Sequence, residues 1–291
     1  MSFRKLLVPV ERPKTARTAL RYALELAREL DAHVEVFHPQ LDPAMVLPPV
    51  FDGLSGMAYA PELLAQAQKS ADDLHAEIKA MIEGELASLG CSDIARGHRA
   101  GFSISFETAI GPPERLVARR GRIADVTIVA RAPHGSRGET DCLAGALWAS
   151  ARPVILVPGA EDSFSANGKR PERIVVAWNG SAEASRAIAA ALPMLVQAVA
   201  VEILTIDNAV DREALDRVRD YFLTHGIEVT GKSVASNGET LAKVLLDRVV
   251  EREADMIVMG AYTHSRLREY LLGGLTQQVM DGAPVPVLLA H

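Results

Sequence analysis

The best candidates for chemistry in this sequence lie near its carboxyl end, where glycines follow a short apolar run. Gly260 directly follows the strand-like run 257–259, and a residue without Cβ at that point lets a ligand approach the backbone. Gly273 and Gly274 precede a helical pattern with Thr276 in its first turn. Free N–H groups and the dipole at a helix start favour anions. The spacing therefore predicts an anion site, although glycines that merely punctuate two turns would look the same.

Other phosphate loops and catalytic motifs are missing from the sequence. It contains no GxxxxGK and no GxGxxG, which mark P-loop and dinucleotide-binding proteins. It also lacks HExxH, a GxSxG elbow, a paired-carboxylate signature and His or Cys residues at metal-ligand spacing. We therefore predict no catalytic residue and no metal ligand, and an enzyme is the weaker hypothesis.

The elements that position these glycines belong to a duplicated pattern. Each half has a short apolar strand, a turn, an Ala-rich helix and a second strand, and later another helix with two more strands. The matching strands are Lys5–Val10 with Arg173–Trp178, His33–His38 with Val199–Ile206, Ala124–Ala130 with Ala254–Gly260, and Pro153–Val157 with Pro286–Leu289. Because four pairings recur in the same order, the sequence indicates an internal repeat.

Short apolar strands that alternate with helical patterns indicate βαβ units and a parallel sheet with helices on both faces. We predict an α/β fold of two tandem, open-twisted, Rossmann-like parallel-sheet domains. Residues 1–158 and 173–291 form the domains, and the small, polar segment 159–172 is the linker. The closing strands, Pro153–Val157 and Pro286–Leu289, are expected to pair inside one chain, since that pairing hides both edges.

Composition excludes several classes of partner. The formal net charge is −6, so no basic surplus is available to displace counterions from nucleic acid. The longest apolar runs, such as Val285–Ala290, are far shorter than the roughly 20 residues of a spanning helix, and Met1–Val10 starts a strand without a signal-peptide pattern. Cys91 and Cys142 stand in unrelated contexts and are expected to be reduced. We expect a cytoplasmic protein with no nucleic-acid and no membrane partner.

The C-terminal stretch resembles the universal stress protein family, whose nucleotide loop reads G-x-x-G, nine residues, then G-S or G-T. Gly260, two residues, Thr263, nine residues and Gly273-Gly274 fit this spacing without gaps. The turn at Asn179-Gly-Ser181 and the closing Ala283–Leu288 are also similar to family segments. The resemblance is strong over residues 173–291 and looser over 4–157, so nearly the whole chain resembles a tandem UspA-like member.

The resemblance implies an adenine-nucleotide site in the second half. In the family, the acidic residue of the first turn and a residue ending the second strand hold adenosine, while the glycines and the following Ser/Thr residues hold phosphate. The positions implied here are Asn179, Thr205, Met259, Gly260, Thr263, Gly273, Gly274, Leu275 and Thr276. The implied ligand is ATP or another adenine nucleotide, with Mg²⁺ only when the nucleotide is bound.

Three of these positions depart from the family pattern. Asn179 replaces Asp and loses a charged acceptor, but its amide oxygen still accepts. Thr263 replaces the second glycine, which costs on the order of 1 kcal/mol if that position needs a positive φ. Gly274 replaces serine and removes a hydroxyl contact of about 0.5–3 kcal/mol. We therefore expect binding weakened by about one to two powers of ten.

The first half departs further and is predicted to have lost the family's nucleotide site. Ala130 and Pro133 stand where the two glycines would be. Gly145 lies fifteen residues beyond Ala130, whereas the corresponding spacing in the second half is thirteen. Arg131 and Arg137 are candidate ligands for a different anion, so this alternative stays open for the first half.

Three functions remain open after this comparison. The leading hypothesis is a nucleotide-responsive regulatory module that binds ATP weakly in its second half, with the first half as its packing partner and at most slow ATP hydrolysis. The alternatives are a nucleotide-independent scaffold or interaction protein, and a small-molecule hydrolase or transferase on the same fold. The Pro-rich segment 39–61 is either a surface excursion or a lid or dimer arm. A homodimer, which is common among proteins in general, is also left open.

Overall fold

The computed structural model describes residues 2–42, 54–90, 101–132, 139–159, 170–207, 211–261 and 274–291, with backbone only for 54–61 and 139–140. The first half contains five strands and four helices in these ranges. In chain order they are β1 (Lys5–Pro9), α1 (Pro13–Leu30), β2 (His33–Gln40), α2 (Leu54–Ser88), β3 (Ser103–Ile110), α3 (Pro113–Gly121), β4 (Val126–Ala130), α4 (Glu139–Ala149) and β5 (Val154–Val157).

The second half repeats the same strand and helix order. Its elements are β6 (Arg173–Ala177), α5 (Ala182–Leu195), β7 (Ala200–Ile206), α6 (Arg212–Thr224), β8 (Val229–Val234), α7 (Leu241–Glu251), β9 (Met256–Gly260), α8 (Gly274–Gly282) and β10 (Val287–Ala290). The predicted α/β fold with open, mostly parallel sheet structure in each half is confirmed.

All ten strands join one sheet in the order β3-β2-β1-β4-β5-β10-β9-β6-β7-β8. Strands within each half are parallel. The halves meet through β5 and β10, which run antiparallel with Leu288 opposite Ile155. These are the two closing strands that the sequence places side by side. Because the junction is antiparallel, the carboxyl ends of the strands in the two halves lie at opposite edges of the sheet.

An aspartate at the equivalent position of each half makes the same pair of hydrogen bonds. Asp125 Oδ2 accepts from the backbone N–H groups of residues 4 and 5, at 2.7 and 2.9 Å. Asp255 Oδ2 accepts from the backbone N–H groups of residues 172 and 173, at 2.9 and 2.8 Å. Each aspartate therefore satisfies the backbone at the amino end of the first strand of its own half. Asp255 lies at the opposite end of the strands from the predicted ligand site.

The sheet is covered on both faces by aliphatic cores, which matches a composition with 5% aromatic residues. One core lies under α1, α2 and α5 and includes Leu24, Val34, Ile188 and Ile203. The other lies under α3, α4, α7 and α8 and includes Leu245, Ile257 and Val279. Alternation of side chains along each strand divides the apolar residues between the two faces.

Each half also buries one glutamate on its second strand. Glu35 is 1% exposed and is bound by Lys5 Nζ at 2.7 Å and by Arg120. Burial would raise the pKa of Glu35, but hydrogen bonds from these two cations hold it below its usual value. Glu202 is its counterpart in the second half and is bound by Arg248 and Arg252.

The structure extends two elements beyond their predicted ends. β2 continues to Gln40, and α2 begins at Leu54 rather than near Glu62. The segment between them is therefore shorter than predicted from 39–61, and its residues 43–53 lie outside the described ranges. In the part of the chain that the structure describes, no helix combines the length and the apolar character needed to cross a bilayer.

Candidate functional site

The candidate site lies at the carboxyl ends of three neighbouring strands in the second half. β6 is between β9 and β7, and Ala177 at its end is opposite Met259 on one side and Leu204 on the other. The chain leaving β6 therefore passes between the ends of β7 and β9. This register brings Asn179, Thr205 and Gly260 to the same edge of the sheet, where ligands of open α/β sheets bind.

Asn179 is exposed in the turn between β6 and α5. Its Oδ1 accepts a hydrogen bond from the Ser181 backbone N–H at 3.1 Å. Gly180 has a φ of 77°, which permits the tight turn without side-chain strain. Ser181 then caps α5, because its hydroxyl accepts from the backbone N–H of Ala184 at 3.1 Å. The Asn179 amide oxygen is thus in use locally and retains one further lone pair for a ligand.

The structure gives a reason for glycine at position 260 that differs from the one suggested by the sequence. Gly260 is the last residue of β9 rather than the first residue after it. A Cβ built there would lie 2.6 Å from the Ala184 backbone nitrogen and 2.7 Å from the Glu183 carbonyl carbon. The absent side chain therefore allows the start of α5 to pack on the strand end. Helix packing thus requires a glycine at this position whether or not a ligand approaches the backbone there.

Thr205 and Met259 contribute less surface than the family pattern implies. Thr205 is 1% exposed and Met259 is 3% exposed. The Thr205 hydroxyl donates to the Lys232 carbonyl oxygen at 3.5 Å. β7 ends one residue later, at Ile206, so Thr205 is the penultimate residue of the strand rather than its end. In this structure neither side chain is open to a ligand.

The predicted phosphate-binding residues lie at the start of α8. The helix begins at Gly274, as the sequence predicted. Gly274 is exposed, and a Cβ built there would meet no atom within 4 Å. Leu275 is half-buried, and Thr276 is 5% exposed. Thr263 and Gly273, together with the rest of 262–273, lie outside the described residues.

Two carboxylates near this edge already have partners within the protein. Asp207 Oδ1 accepts from the Ser236 backbone N–H at 2.7 Å, and this hydrogen bond holds the pKa of Asp207 below its usual value. Glu183, in the first turn of α5, pairs with Arg186 at 2.7 Å. A carboxylate at that helix start opposes an anion there, so α8 is the better helix for phosphate. Over the described ranges, no three His, Cys, Asp or Glu residues gather as metal ligands.

The first half differs in detail at its own carboxyl edge. Pro9 is opposite Phe37 and Ala177 is opposite Leu204, so His38 is the counterpart of Thr205. The buried His38 donates through Nδ1 to the Val10 carbonyl oxygen at 2.7 Å. Burial lowers the pKa of His38 and favours its neutral form. The sequence pairs His33–His38 with Val199–Ile206, but only the strand register identifies His38 as the counterpart of Thr205.

Gly145 of the first half lies inside α4 rather than at its start. A Cβ at this position would be 2.2 Å from the Glu114 carbonyl oxygen on α3. Gly145 therefore permits close packing of the two helices.

Arg131, considered above as an anion ligand, makes a different contact. Its Nη1 donates to the carbonyl oxygens of Met280 and Ala283, at 3.2 and 3.1 Å. Both acceptors belong to the second half, at the end of α8 and just beyond it. This contact does not favour the anion hypothesis for Arg131. Arg137 lies outside the described residues.

Cys142 lies on α4 and is 3% exposed. Burial raises the pKa of its thiol, and the adjacent Glu11 carboxylate, which accepts a hydrogen bond from the thiol, raises it further. Glu11 was not recognised from the sequence, because it lies far from Cys142 along the chain. The thiol is kept protonated, which suppresses nucleophilic reactivity.

We expect native Cys142 to react with a thiol reagent at pH 8 at least about 100-fold more slowly than in the unfolded chain, because both access and thiolate are lacking. The measurement uses a Cys91→Ser background, which leaves Cys142 as the only cysteine. The same protein in urea gives the reference rate. Labelling of the native protein at the unfolded rate would contradict the described environment.

The two α/β halves, with parallel strands and helices on both faces of the sheet, define the class of doubly wound, Rossmann-like folds. A family model, described as the universal stress protein family, matches residues 2–138 and 229–291. These ranges cover more than half of the chain. The chain belongs to the universal stress protein family.

Solved structures show the same fold along the whole chain. A universal stress protein from Archaeoglobus fulgidus is 17% identical, with 99% of this chain and 97% of that chain covered and a TM-score of 0.69. A candidate universal stress protein from Pseudomonas aeruginosa is 14% identical, with 99% and 93% covered and a TM-score of 0.57. Comparison with curated proteins gives no significant match. At these identities the structural likeness establishes the fold alone.

Proposed function

We propose that this protein is a nucleotide-responsive regulatory module whose C-terminal half binds ATP or a related adenine nucleotide weakly. The observation that carries the proposal is the combination of Gly260 at a shared strand edge with a helix that begins at Gly274, at the spacing of the family's loop. We also propose that the N-terminal half binds no nucleotide and acts as a packing partner. The proposed domains are residues 1–158 and 173–291, with 159–172 as linker.

The proposed roles follow from the groups available at this edge. Asn179 would accept a hydrogen bond from the nucleoside through the free lone pair of its amide oxygen. The backbone N–H groups of Gly273 to Thr276 would bind phosphate, since the first N–H groups of a helix lack intrahelical partners. The open space at Gly274 supports this fit. Mg²⁺ would bind together with the nucleotide, through the phosphate oxygens that commonly supply its ligands.

Gly274 provides the sharpest test, because a Cβ at this position meets no atom of the described residues within 4 Å. We expect Gly274→Asp to weaken ATP binding at least about tenfold, because the carboxylate repels phosphate and takes up the same N–H groups. Thermal stability without ligand should be unchanged or slightly higher, since an acidic residue suits a helix start. Gly274→Ser should strengthen ATP binding about two- to tenfold by adding a hydroxyl. Isothermal titration calorimetry measures each dissociation constant.

The matched control is Gly84→Asp, an exposed glycine of α2 in the first half whose Cβ also meets no atom within 4 Å. It adds the same charge far from the proposed site and should leave the ATP dissociation constant unchanged. Thermal unfolding of wild-type protein with millimolar ATP provides a second measurement, because a bound ligand stabilises by RT ln(1 + [L]/Kd). The proposal is contradicted if ATP does not stabilise the protein and if the purified protein releases no nucleotide on denaturation.

A nucleotide-independent interaction protein is the second candidate. It is favoured by three local observations: Asn179 already accepts from Ser181, the Thr205 hydroxyl is buried, and Gly260 is required by helix packing. Together they supply structural reasons for residues that the family pattern assigns to ligand. Identical heat stability and ATP titrations for wild type and Gly274→Asp would favour this second candidate over nucleotide binding.

A further inference from the structure

The two halves are connected by an arginine as well as by strand pairing. Arg131 follows β4 of the first half, and its backbone N–H donates to the Val157 carbonyl oxygen at 2.8 Å. Its half-buried side chain extends across the junction, where Nη1 reaches Met280 and Ala283. A residue of the half that lacks the nucleotide loop thus contacts the helix that carries the proposed phosphate site.

The contact is made at the part of α8 that most needs an external donor. The last four carbonyl groups of a helix have no intrahelical N–H partner. A cation near these carbonyls is also favourable to the helix dipole. α8 has no basic residue in its own last turn. Arg131 supplies both a donor and a positive charge from the other half.

We infer that Arg131 is a positioning residue for the phosphate site: it fixes the C-terminal end of α8, and thereby the N-terminal end, from the other half of the molecule. This inference rests on the proposed function for its link to ligand. A helix of nine residues is only about 13 Å long. A tilt or shift at its last turn therefore displaces its first N–H groups.

The position of Arg131 in the repeat supports this role. Arg131 N–H donates to the carbonyl of the closing strand of its half, Val157, and Ala261 N–H donates in the same way to Ala290. Arg131 is therefore the counterpart of Ala261. At this position the second half has a methyl group and the first half has a guanidinium directed at its neighbour. Arg131 therefore makes a contact between the halves at the position where the second half has Ala261.

The test compares Arg131→Ala and Arg131→Lys with Arg122→Ala in the full chain. Arg122 is the matched control, because its Nε donates at 3.1 Å to the carbonyl of Ala149, the last residue of α4 in its own half. Two readouts are used: amide hydrogen exchange at residues 278–282 without ligand, and dissociation constants for ATP and for adenosine. Adenosine lacks the phosphate, so it reports the nucleoside part of the site alone.

For Arg131→Ala we expect exchange at 278–282 to rise at least about fivefold and ATP binding to weaken about three- to tenfold, a loss within the usual net range for a single hydrogen bond. Adenosine binding should stay unchanged, Arg131→Lys should recover part of both losses, and Arg122→Ala should resemble wild type. Unchanged exchange in Arg131→Ala overturns the inference, as does an equal loss of ATP and adenosine affinity. If wild-type protein binds neither ligand, the proposed function fails, and the exchange result alone decides whether Arg131 fixes α8.

Discussion

Replacing Gly260 by alanine is expected to lower the free energy of unfolding by about 2–3 kcal/mol, with no nucleotide present. The added methyl group would overlap the backbone at the start of α5, 2.6 Å from the Ala184 nitrogen. Backbone atoms of a capped helix cannot move aside as a flexible side chain can. The helix must therefore shift away from the strand end, which disturbs buried contacts such as those of Ala187 and Ile188.

Urea unfolding of Gly260→Ala measures this loss, and Gly274→Ala is the control because its Cβ has open space. The control should retain or slightly exceed wild-type stability, since alanine is the better helix former. Together the pair separates the two explanations for the glycine at the strand end. A Gly260→Ala protein with wild-type stability and impaired ATP binding would show that ligand approach, and not packing, requires this glycine.

Replacing Arg248 by methionine is expected to lower the free energy of unfolding by about 2–4 kcal/mol, because removal of one partner leaves a buried charge less compensated. Glu202 is 5% exposed, and so is Arg248. The guanidinium Nη2 of Arg248 lies 2.8 Å from Glu202 Oε2, with a second bond from Nε to Oε1. Only Arg252, which is half exposed, would remain on the carboxylate.

A double-mutant cycle with Glu202→Gln measures the coupling between the two groups. The double variant should lose less stability than the two single losses combined, since it no longer buries an unpaired charge. Arg217→Met is the control, because the Arg217–Glu213 pair is about three-quarters exposed on both sides and exposed pairs contribute at most about 1 kcal/mol. Equal losses for Arg248→Met and Arg217→Met would contradict the predicted importance of the buried pair.

The fold could be predicted from sequence because its central strands are apolar on both faces. Val126–Ala130, apart from Thr127, and Met256–Gly260 are apolar runs between helical patterns, and sheets buried on both sides produce such runs. The edge strands gave no such signal. β8 is largely exposed and contains Gly231 and Lys232, so neither an apolar run nor alternation identifies it. β3 was missed for a related reason, because its outer half is partly exposed.

The candidate site was only partly predictable for a physical reason. Loop spacing predicted the end of β9 near Gly260 and the start of α8, since both depend on residues close along the chain. The packing requirement for glycine at position 260 depends on α5, whose backbone contacts the end of β9 only after folding. Arg131 and Met280 are separated by 149 residues. Their contact depends on the antiparallel junction of the halves, which no local pattern encodes.

The junction between β5 and β10 has a consequence for how the halves stay together. When two separate molecules pair through such strands, dilution dissociates them, because association costs translational and rotational freedom. Here both strands are in one polypeptide, so each half meets the other at a fixed effective concentration. The helix-positioning contact of Arg131 is therefore retained however scarce the protein becomes, and only unfolding releases it.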